Sequence, residues 1–230
     1  MPPSLATPEA QLTVRRAARA LGRHGLLHAY GHCSMRLDAQ HFLVCASQPP
    51  GTIGAGVPGS VVRIDGDFPP HLLGEVRIHR EIYRRRSDVG GVVRSMPPRT
   101  MSLSALRRTP RVLHGMGCYF SPGVPLWDDV QLLRSDAQAS TLVDQMGTEP
   151  AIVMRGNGAV VCAPSLPDAV VLTWYLEDAA RIDLDAWHAV GAEPAEIPPA
   201  EAAQRATRAG SIFERMWDYL THGDPENPAP

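Results

Sequence analysis

The sequence contains no lysine: all 22 basic residues of the 230-residue chain are arginines. A mechanism that forms a Schiff base between a lysine amine and a carbonyl substrate is therefore excluded. The permanent positive charges are all planar guanidinium groups, whose fork of N–H donors suits carboxylates and phosphates. Any cationic site in this protein must accordingly be built from arginine.

Other absences exclude further classes of protein. The apolar runs, such as residues 169–176, are too short to span a bilayer, and the first residues lack the basic start and apolar core of a secretory signal. The net charge of -2 gives no sign of binding to nucleic acids or anionic membranes. The four cysteines form no CxxC pair and are typical of reduced thiols. We therefore expect a cytoplasmic protein without nucleic-acid or membrane partners.

Helix-type and strand-type patterns alternate along the chain without a clean domain break, which predicts a single α/β domain with a mixed sheet covered by helices. The predicted helices cover residues 8–24, 71–89, 98–108, 135–147, 165–190 and 199–220. The predicted strands lie within residues 33–38, 41–47, 61–70, 90–96, 110–120 and 150–164. Residues 1–7 are expected to form a flexible N-terminus, 8–222 the domain and 223–230, which are polar and proline-rich, a disordered tail.

The segment "VVRSMPP", residues 92–98, has the shape of a metal site at the end of a strand. Side chains two positions apart point the same way on a strand, so Arg94 and Met96 share a face. Arginine, however, has no lone pair to donate to a metal, and the thioether of methionine is a soft, weak ligand. The spacing suggests a metal site, whereas the residue types oppose one.

Two further segments carry polar residues with a regular spacing. Glu75 and His79 are four positions apart on a predicted helix and share a face, where they could transfer protons, bind a metal or form an ordinary hydrogen-bonded pair. His32, Ser34 and Arg36 alternate along a predicted strand, so one face of that strand is polar. Neither pattern identifies a site by itself.

Two glycine-rich segments could approach a ligand closely. Arg155 and Asn157 lie in "MRGNGAV" with a glycine after each, which favours either a ligand-binding turn or an ordinary hairpin turn. Ser47 lies in "CASQPPGTIG", which could form an anion-binding nest of backbone N–H groups or a plain surface loop.

In order along the chain, "AARALGRHGLLHAYGHCSMRL", "GEVRIHREIYRRRSDVGGVVRSMPP", "GVPLWDD" and "VMRGNGAVVCAPSLPDAVVLTWYLEDAAR" resemble the class II aldolase/adducin family. The resemblance covers roughly residues 8 to 220 and is closest to the branch with decarboxylases that act on hydroxylated aromatic acids. It implies a three-layer α/β/α sandwich around a mainly antiparallel sheet, and a homotetramer with active sites between neighbouring subunits.

The resemblance also implies that the metal-binding histidines of the family are replaced in this sequence. Family members hold a divalent metal with two histidines of a His-Thr-His-Pro segment and one histidine near a later glycine. The corresponding positions here are Arg94, Met96 and Asn157, so all three imidazoles are lost, while Glu75 matches the family's acid/base glutamate. We therefore expect neither a metal nor another cofactor. A weaker alternative, a metal held by Glu75, His79 and His32, is opposed by the charge of Arg94.

Two functions from different classes fit this pattern. The first is a metal-independent lyase for a small anionic substrate with a carboxylate, such as a hydroxylated aromatic acid, acting by decarboxylation, retro-aldol cleavage or dehydration. The second is a catalytically inactive binding or scaffold subunit. For the lyase, the predicted catalytic residues are Glu75, Arg94 and His32. The predicted substrate-binding residues are Ser47, His79, Arg155 and Asn157.

Overall fold

The computed structural model describes residues 5–70, 72–190 and 194–227, and these form a seven-stranded sheet between two layers of helices. The helices are α1 (Pro8–Arg23), α2 (Val76–Arg85), α3 (Pro98–Ala105), α4 (Asp136–Met146), α5 (Leu166–Val190), α6 (Pro199–Arg205) and α7 (Ile212–Thr221). The strands are β1 (His32–Arg36), β2 (His41–Val44), β3 (Ser60–Arg63), β4 (Gly91–Ser95), β5 (Leu126–Trp127), β6 (Ala151–Met154) and β7 (Ala159–Ala163). Across the described ranges, none of the helices combines the length and apolar character that crossing a bilayer requires.

The strand order is β3-β2-β1-β4-β7-β6-β5, and every neighbouring pair is antiparallel except the short parallel pair of β5 and β6. Strand β4 lies in the centre, between β1 and β7. Central strands of a covered sheet are buried on both faces, and all five residues of β4 are buried. The predicted α/β/α sandwich with a mainly antiparallel sheet is therefore confirmed.

The two faces of the sheet carry separate apolar cores, because successive side chains of a strand point to opposite faces. Val93 and Val161 face the core shared with α1, α5 and α7. Val92 and Val160 face the core shared with α2 and α4. Arg94, two residues after Val92, therefore points to the α2 side of the sheet.

Some predicted elements differ in extent. The helix predicted over 71–89 begins only at Val76, since two prolines and Gly74 shortly before it oppose helical structure. The helix predicted over 199–220 is divided into α6 and α7 by Gly210, whose φ of 72° is not helical. The strand predicted within 110–120 is absent, and Gly117–Phe120 forms a short 3₁₀-helix there.

The helix starts follow the local signals in the sequence. The hydroxyl of Thr7 accepts a hydrogen bond from the backbone N–H of Ala10 at the start of α1. Ser135 and Gln138 form a capping box at the start of α4. Ser165 accepts from the backbone N–H of Asp168 at the start of α5.

Of the tail 223–230 that was expected to be disordered, residues 223–227 are described, and Asp224 and Glu226 contact α1, while residues 228–230 lie outside the described residues. Asp224 is buried and accepts two hydrogen bonds from Arg19, at 2.8 and 2.7 Å. Glu226 accepts hydrogen bonds from Arg15 and Arg19 and one from the backbone N–H of Gly56. The guanidinium groups of α1 hold the pKa of Glu226 down, to about 2. The polar, proline-rich composition of this segment suggested disorder. Composition alone cannot show that these carboxylates pair with arginines far away in the sequence.

Candidate active site

Three polar side chains meet at the end of strand β4. Arg94, near the end of that strand, is 2% exposed. Its Nη2 donates to Oδ1 of Asn157 at 2.6 Å, and its Nε lies 2.8 Å from Oε2 of Glu75. The Nδ2 of Asn157 donates to Oε1 of Glu75 at 3.0 Å, so each of the three contacts the other two. Below, these three residues are called the Arg94 triad.

Each member of the triad is positioned by a different element. Glu75 immediately precedes α2, and Asn157 lies in the tight turn between β6 and β7. Gly158 follows Asn157 with a φ of 80°, and a Cβ at this glycine would overlap the carbonyl oxygen of Ser95. Only glycine therefore lets this turn lie against the end of β4, which brings the Asn157 amide to the guanidinium.

The guanidinium of Arg94 is only partly satisfied. Its Nε is within ion-pair distance of Glu75, yet the N–H does not point at the carboxylate well enough to form a hydrogen bond. Its Nη1 is buried and has no hydrogen-bond partner among the described residues. Burial lowers the pKa of Arg94, and the charge of Glu75 opposes that effect. A buried donor without a partner is costly, and an acceptor from a ligand would relieve that cost.

A second polar group lies beside the triad on the same face of the sheet. His32 on β1 is the register partner of Arg94 on β4. Its Nδ1 lies 2.8 Å from Nε2 of His79, and Nδ1 of His79 lies 2.6 Å from the hydroxyl of Ser34. The same hydroxyl lies 2.9 Å from that of Tyr83. We call these four residues the histidine chain.

The environment keeps both histidines neutral. Burial, the neighbouring His79 and the charge of Arg94 hold the pKa of His32 well below its ordinary value. Burial and the charge of Arg94 lower the pKa of His79 to about 3. Burial raises the pKa of Tyr83 far above its ordinary value. None of these groups is ionised near neutral pH.

The structure brings five of the seven predicted site residues together and leaves two apart. Glu75, Arg94 and Asn157 form the triad, and His32 and His79 belong to the adjacent chain.

The remaining two residues have other surroundings. Ser47 is exposed in its loop. Arg155 forms an ion pair with Asp128 and donates to the backbone oxygen of the same residue. Its guanidinium is thus committed to the segment after β5.

Sequence reasoning did not identify Ser34 and Tyr83 as members of the site. Two signals in the sequence pointed to them: Ser34 alternates with His32 on β1, and Tyr83 lies one helical turn after His79 on α2. Both patterns became informative only when the packing of α2 against β1 was known.

The residues at the family's metal positions do not fit a divalent cation. A guanidinium offers no lone pair and would repel the ion, while a half-buried thioether and a single amide are poor ligands for such a metal. Among the residues that the structure describes, no three histidines, cysteines or carboxylates are grouped closely enough to bind a metal. The weaker alternative of a metal at Glu75, His79 and His32 thus finds no such group here.

Three cavities of the described chain lie away from the triad. The first, of about 560 Å³, is lined by residues of α1 and α7, including His24 and Tyr219. The second, of about 420 Å³, lies along β3 and the turn after it. The third, of about 280 Å³, lies between α5 and α7. In this single chain little of the triad is open to solvent, because Arg94 is 2% exposed and the Glu75 side chain is 16% exposed.

Residues 13–184 match the class II aldolase and adducin N-terminal domain. The chain is 28% identical over 224 residues to a 3,4-dihydroxyphthalate decarboxylase of Arthrobacter keyseri, with 88% of each sequence covered. It is 25% identical over 187 residues to the decarboxylase tropJ of Talaromyces stipitatus, with 70% of each covered. The predicted resemblance to the decarboxylase branch is thereby confirmed.

Solved structures show the same fold. An aldolase II superfamily protein of Pseudomonas syringae superimposes with a TM-score of 0.79 at 24% identity, over 95% of this chain and 93% of that one. An L-fuculose 1-phosphate aldolase of Glaciozyma antarctica gives a TM-score of 0.76 at 18% identity, over 96% and 94% of the two chains. The chain belongs to the class II aldolase and adducin N-terminal domain family.

Proposed function

We propose that the protein is a lyase that acts on a small carboxylated substrate, including hydroxylated aromatic acids, without a divalent metal. One observation carries the proposal: a buried guanidinium with an unsatisfied Nη1 stands at a position where the family carries a metal-binding histidine. The decarboxylases among the relatives support a lyase of this general class.

Arg94 would replace the metal as the source of positive charge. Its free Nη1 can donate to a substrate carboxylate or to the oxygen of an enolate that forms during the reaction. Decarboxylation, retro-aldol cleavage and dehydration of such substrates share this enolate-like species. A guanidinium cannot generate hydroxide as a metal does, so chemistry that needs metal-bound water lies outside this proposal.

Glu75 would move the proton. Its carboxyl group contacts both Arg94 and Asn157, and its side chain is 16% exposed, so it connects the buried cation with solvent. In a decarboxylation, carbon dioxide leaves and its bonding electrons stay on the substrate carbon. That carbon then takes a proton from the Glu75 carboxyl group, which has itself taken up this proton from solvent. Because Nη1 of Arg94 is buried, neighbouring side chains must move for a substrate to reach it.

The closed state of the triad favours a second candidate, the catalytically inactive binding or scaffold subunit. In that case the ion pair of Arg94 with Glu75 and the hydrogen bond to Asn157 would be structural replacements for the metal. The two candidates differ in whether the Glu75 carboxyl group has a chemical task.

Glu75→Gln tests this difference, because glutamine keeps the size and one acceptor oxygen but cannot deliver the proton. The assay measures release of carbon dioxide from hydroxylated benzoates and from 3,4-dihydroxyphthalate. The lyase proposal expects turnover by the wild type and a loss of about 10²–10⁴-fold in the variant. Glu81→Gln is the control, since Glu81 is a buried carboxylate on α2 that pairs with Arg84 and Arg85 and lies outside the triad. Equal turnover in wild type and Glu75→Gln would remove Glu75 from the mechanism.

We further propose a cytoplasmic homotetramer, as the family resemblance implies. Size-exclusion chromatography with light scattering tests the oligomeric state, and a monomer at assay concentration would contradict it.

A further inference from the structure

The histidine chain has a defined direction of hydrogen donation, which follows from its buried end. The hydroxyl oxygen of Tyr83 lies 2.9 Å from the backbone carbonyl oxygen of Ser34. A carbonyl oxygen carries no hydrogen, so the single hydrogen of the tyrosine hydroxyl must point at it. The same tyrosine oxygen also lies 2.9 Å from the hydroxyl oxygen of Ser34. In this second contact the Ser34 hydroxyl must therefore be the donor.

The remaining contacts are fixed in turn. Because the hydroxyl hydrogen of Ser34 is used on Tyr83, the 2.6 Å contact with Nδ1 of His79 requires the hydrogen on His79. Neutral His79 then carries a lone pair on Nε2. The 2.8 Å contact between this atom and Nδ1 of His32 requires the hydrogen on His32. Neutral His32 is thereby left with a lone pair on its own Nε2.

This lone pair has no internal partner. Nε2 of His32 makes no hydrogen bond with any residue that the structure describes, whereas Nδ1 is used. His32 is also the register partner of Arg94 across the β1–β4 ladder. Side chains in such pairs have their Cβ atoms about 4.5–5.5 Å apart. The residue that carries this acceptor is therefore the direct cross-strand neighbour of the residue that carries the unsatisfied donor, and the charge of Arg94 acts on His32.

We propose that Arg94 and His32 together recognise a carboxylic acid with a hydroxyl group on the adjacent carbon. Arg94 donates to the carboxylate, and Nε2 of His32 accepts the hydrogen of the hydroxyl. Tyr83, Ser34 and His79 are positioning residues, because they hold His32 in the required tautomer. The inference rests on the proposed function for the carboxylate at Arg94, and it adds the adjacent hydroxyl as the feature that the site selects.

The first test compares the binding of 2-hydroxybenzoate, 4-hydroxybenzoate and benzoate by calorimetry at about pH 7. We expect 2-hydroxybenzoate to bind at least about 10-fold more tightly than the other two, which corresponds to about 1.4 kcal/mol. His32→Phe removes the acceptor, so it should abolish the preference for 2-hydroxybenzoate over benzoate. Arg94→Met should weaken the binding of all three acids.

Tyr83→Phe tests whether the tyrosine hydroxyl fixes the tautomer of His32 or whether Tyr83 only packs against its neighbours. Without the tyrosine oxygen, the Ser34 hydroxyl is free to donate to His79, which reverses the chain and places a hydrogen on Nε2 of His32. The variant should therefore lose the preference for 2-hydroxybenzoate while still binding benzoate. The control is Tyr119→Phe, whose hydroxyl donates to the backbone of Thr207 away from the site; it should keep the preference.

Nitrogen NMR of ¹⁵N-histidine-labelled protein gives a readout independent of any ligand. We expect His32 to carry its hydrogen on Nδ1 in the wild type and on Nε2 in Tyr83→Phe. If benzoate binds but the hydroxyl brings no gain, this inference fails and the proposed carboxylate site stands. If none of the acids binds, both fail. A hydrogen on Nε2 of His32 in the wild type would overturn the direction of the chain.

Discussion

Lowering the pH from about 7 to about 5 should destabilise the protein, because its buried histidines cannot take up protons while folded. The pKa of His79 is about 3 in the folded chain against an ordinary value of 6.5. Between these two values the unfolded state binds the proton and the folded state does not, so stability falls as the pH falls. Over these two pH units His79 alone should contribute a loss of about 2 kcal/mol. His32 acts in the same direction.

Urea unfolding at several pH values, followed by tryptophan fluorescence at one protein concentration, measures this loss. His79→Gln removes the titrating group, so its free energy of unfolding should fall about 2 kcal/mol less than that of the wild type over the same range. His32→Asn should flatten the dependence in the same way. Tyr83→Phe is the matched control on α2, because it leaves both imidazoles buried and should keep the wild-type slope. Identical slopes in wild type and His79→Gln would refute the burial of a neutral imidazole.

Two further predictions concern the charges. Asp224→Asn should lower the free energy of unfolding by about 3 kcal/mol, because it removes the fully buried carboxylate that Arg19 contacts twice and leaves that guanidinium only Glu226. Glu226→Gln, at a more exposed position, should cost about 1 kcal/mol. Thermal unfolding of both variants measures the difference, and equal losses would contradict the assigned burial. Restoring histidine at all three family positions, by Arg94→His, Met96→His and Asn157→His together, should yield about one divalent metal per chain by elemental analysis, against less than about 0.1 in the wild type. A stoichiometric metal in the wild type would contradict the proposed role of the guanidinium.

The sequence was informative wherever the signal is local. Thr7, Ser135 and Ser165 are of residue types that favour helix starts, and in the structure each accepts a backbone hydrogen bond at the start of a helix. The central strand β4 and the hairpin of β6 and β7 also follow from apolar runs and a glycine-rich turn. The two-residue strand β5 carried no such signal, because a strand of that length has no readable period.

The sequence predicted most residues of the site but not which of their side chains contact one another. Glu75 and Asn157 are 82 positions apart, and no spacing rule reports that their side chains share a hydrogen bond. Local patterns in a sequence likewise cannot show that Arg155, two residues before Asn157, pairs instead with Asp128. Only the docking of α2 and the β6–β7 turn onto the end of β4 decides these partners.

The contact between residues 223–227 and α1 has a consequence for the order in which the chain folds during synthesis. Arg15 and Arg19 lie near the start of the chain, and the carboxylates that neutralise them follow more than 200 positions later. While the chain is still being translated, these guanidiniums have no counter-ion to accompany them into the interior, and water is their better environment. We therefore expect helix α1 to reach its final packing only after Asp224 and Glu226 have been synthesised.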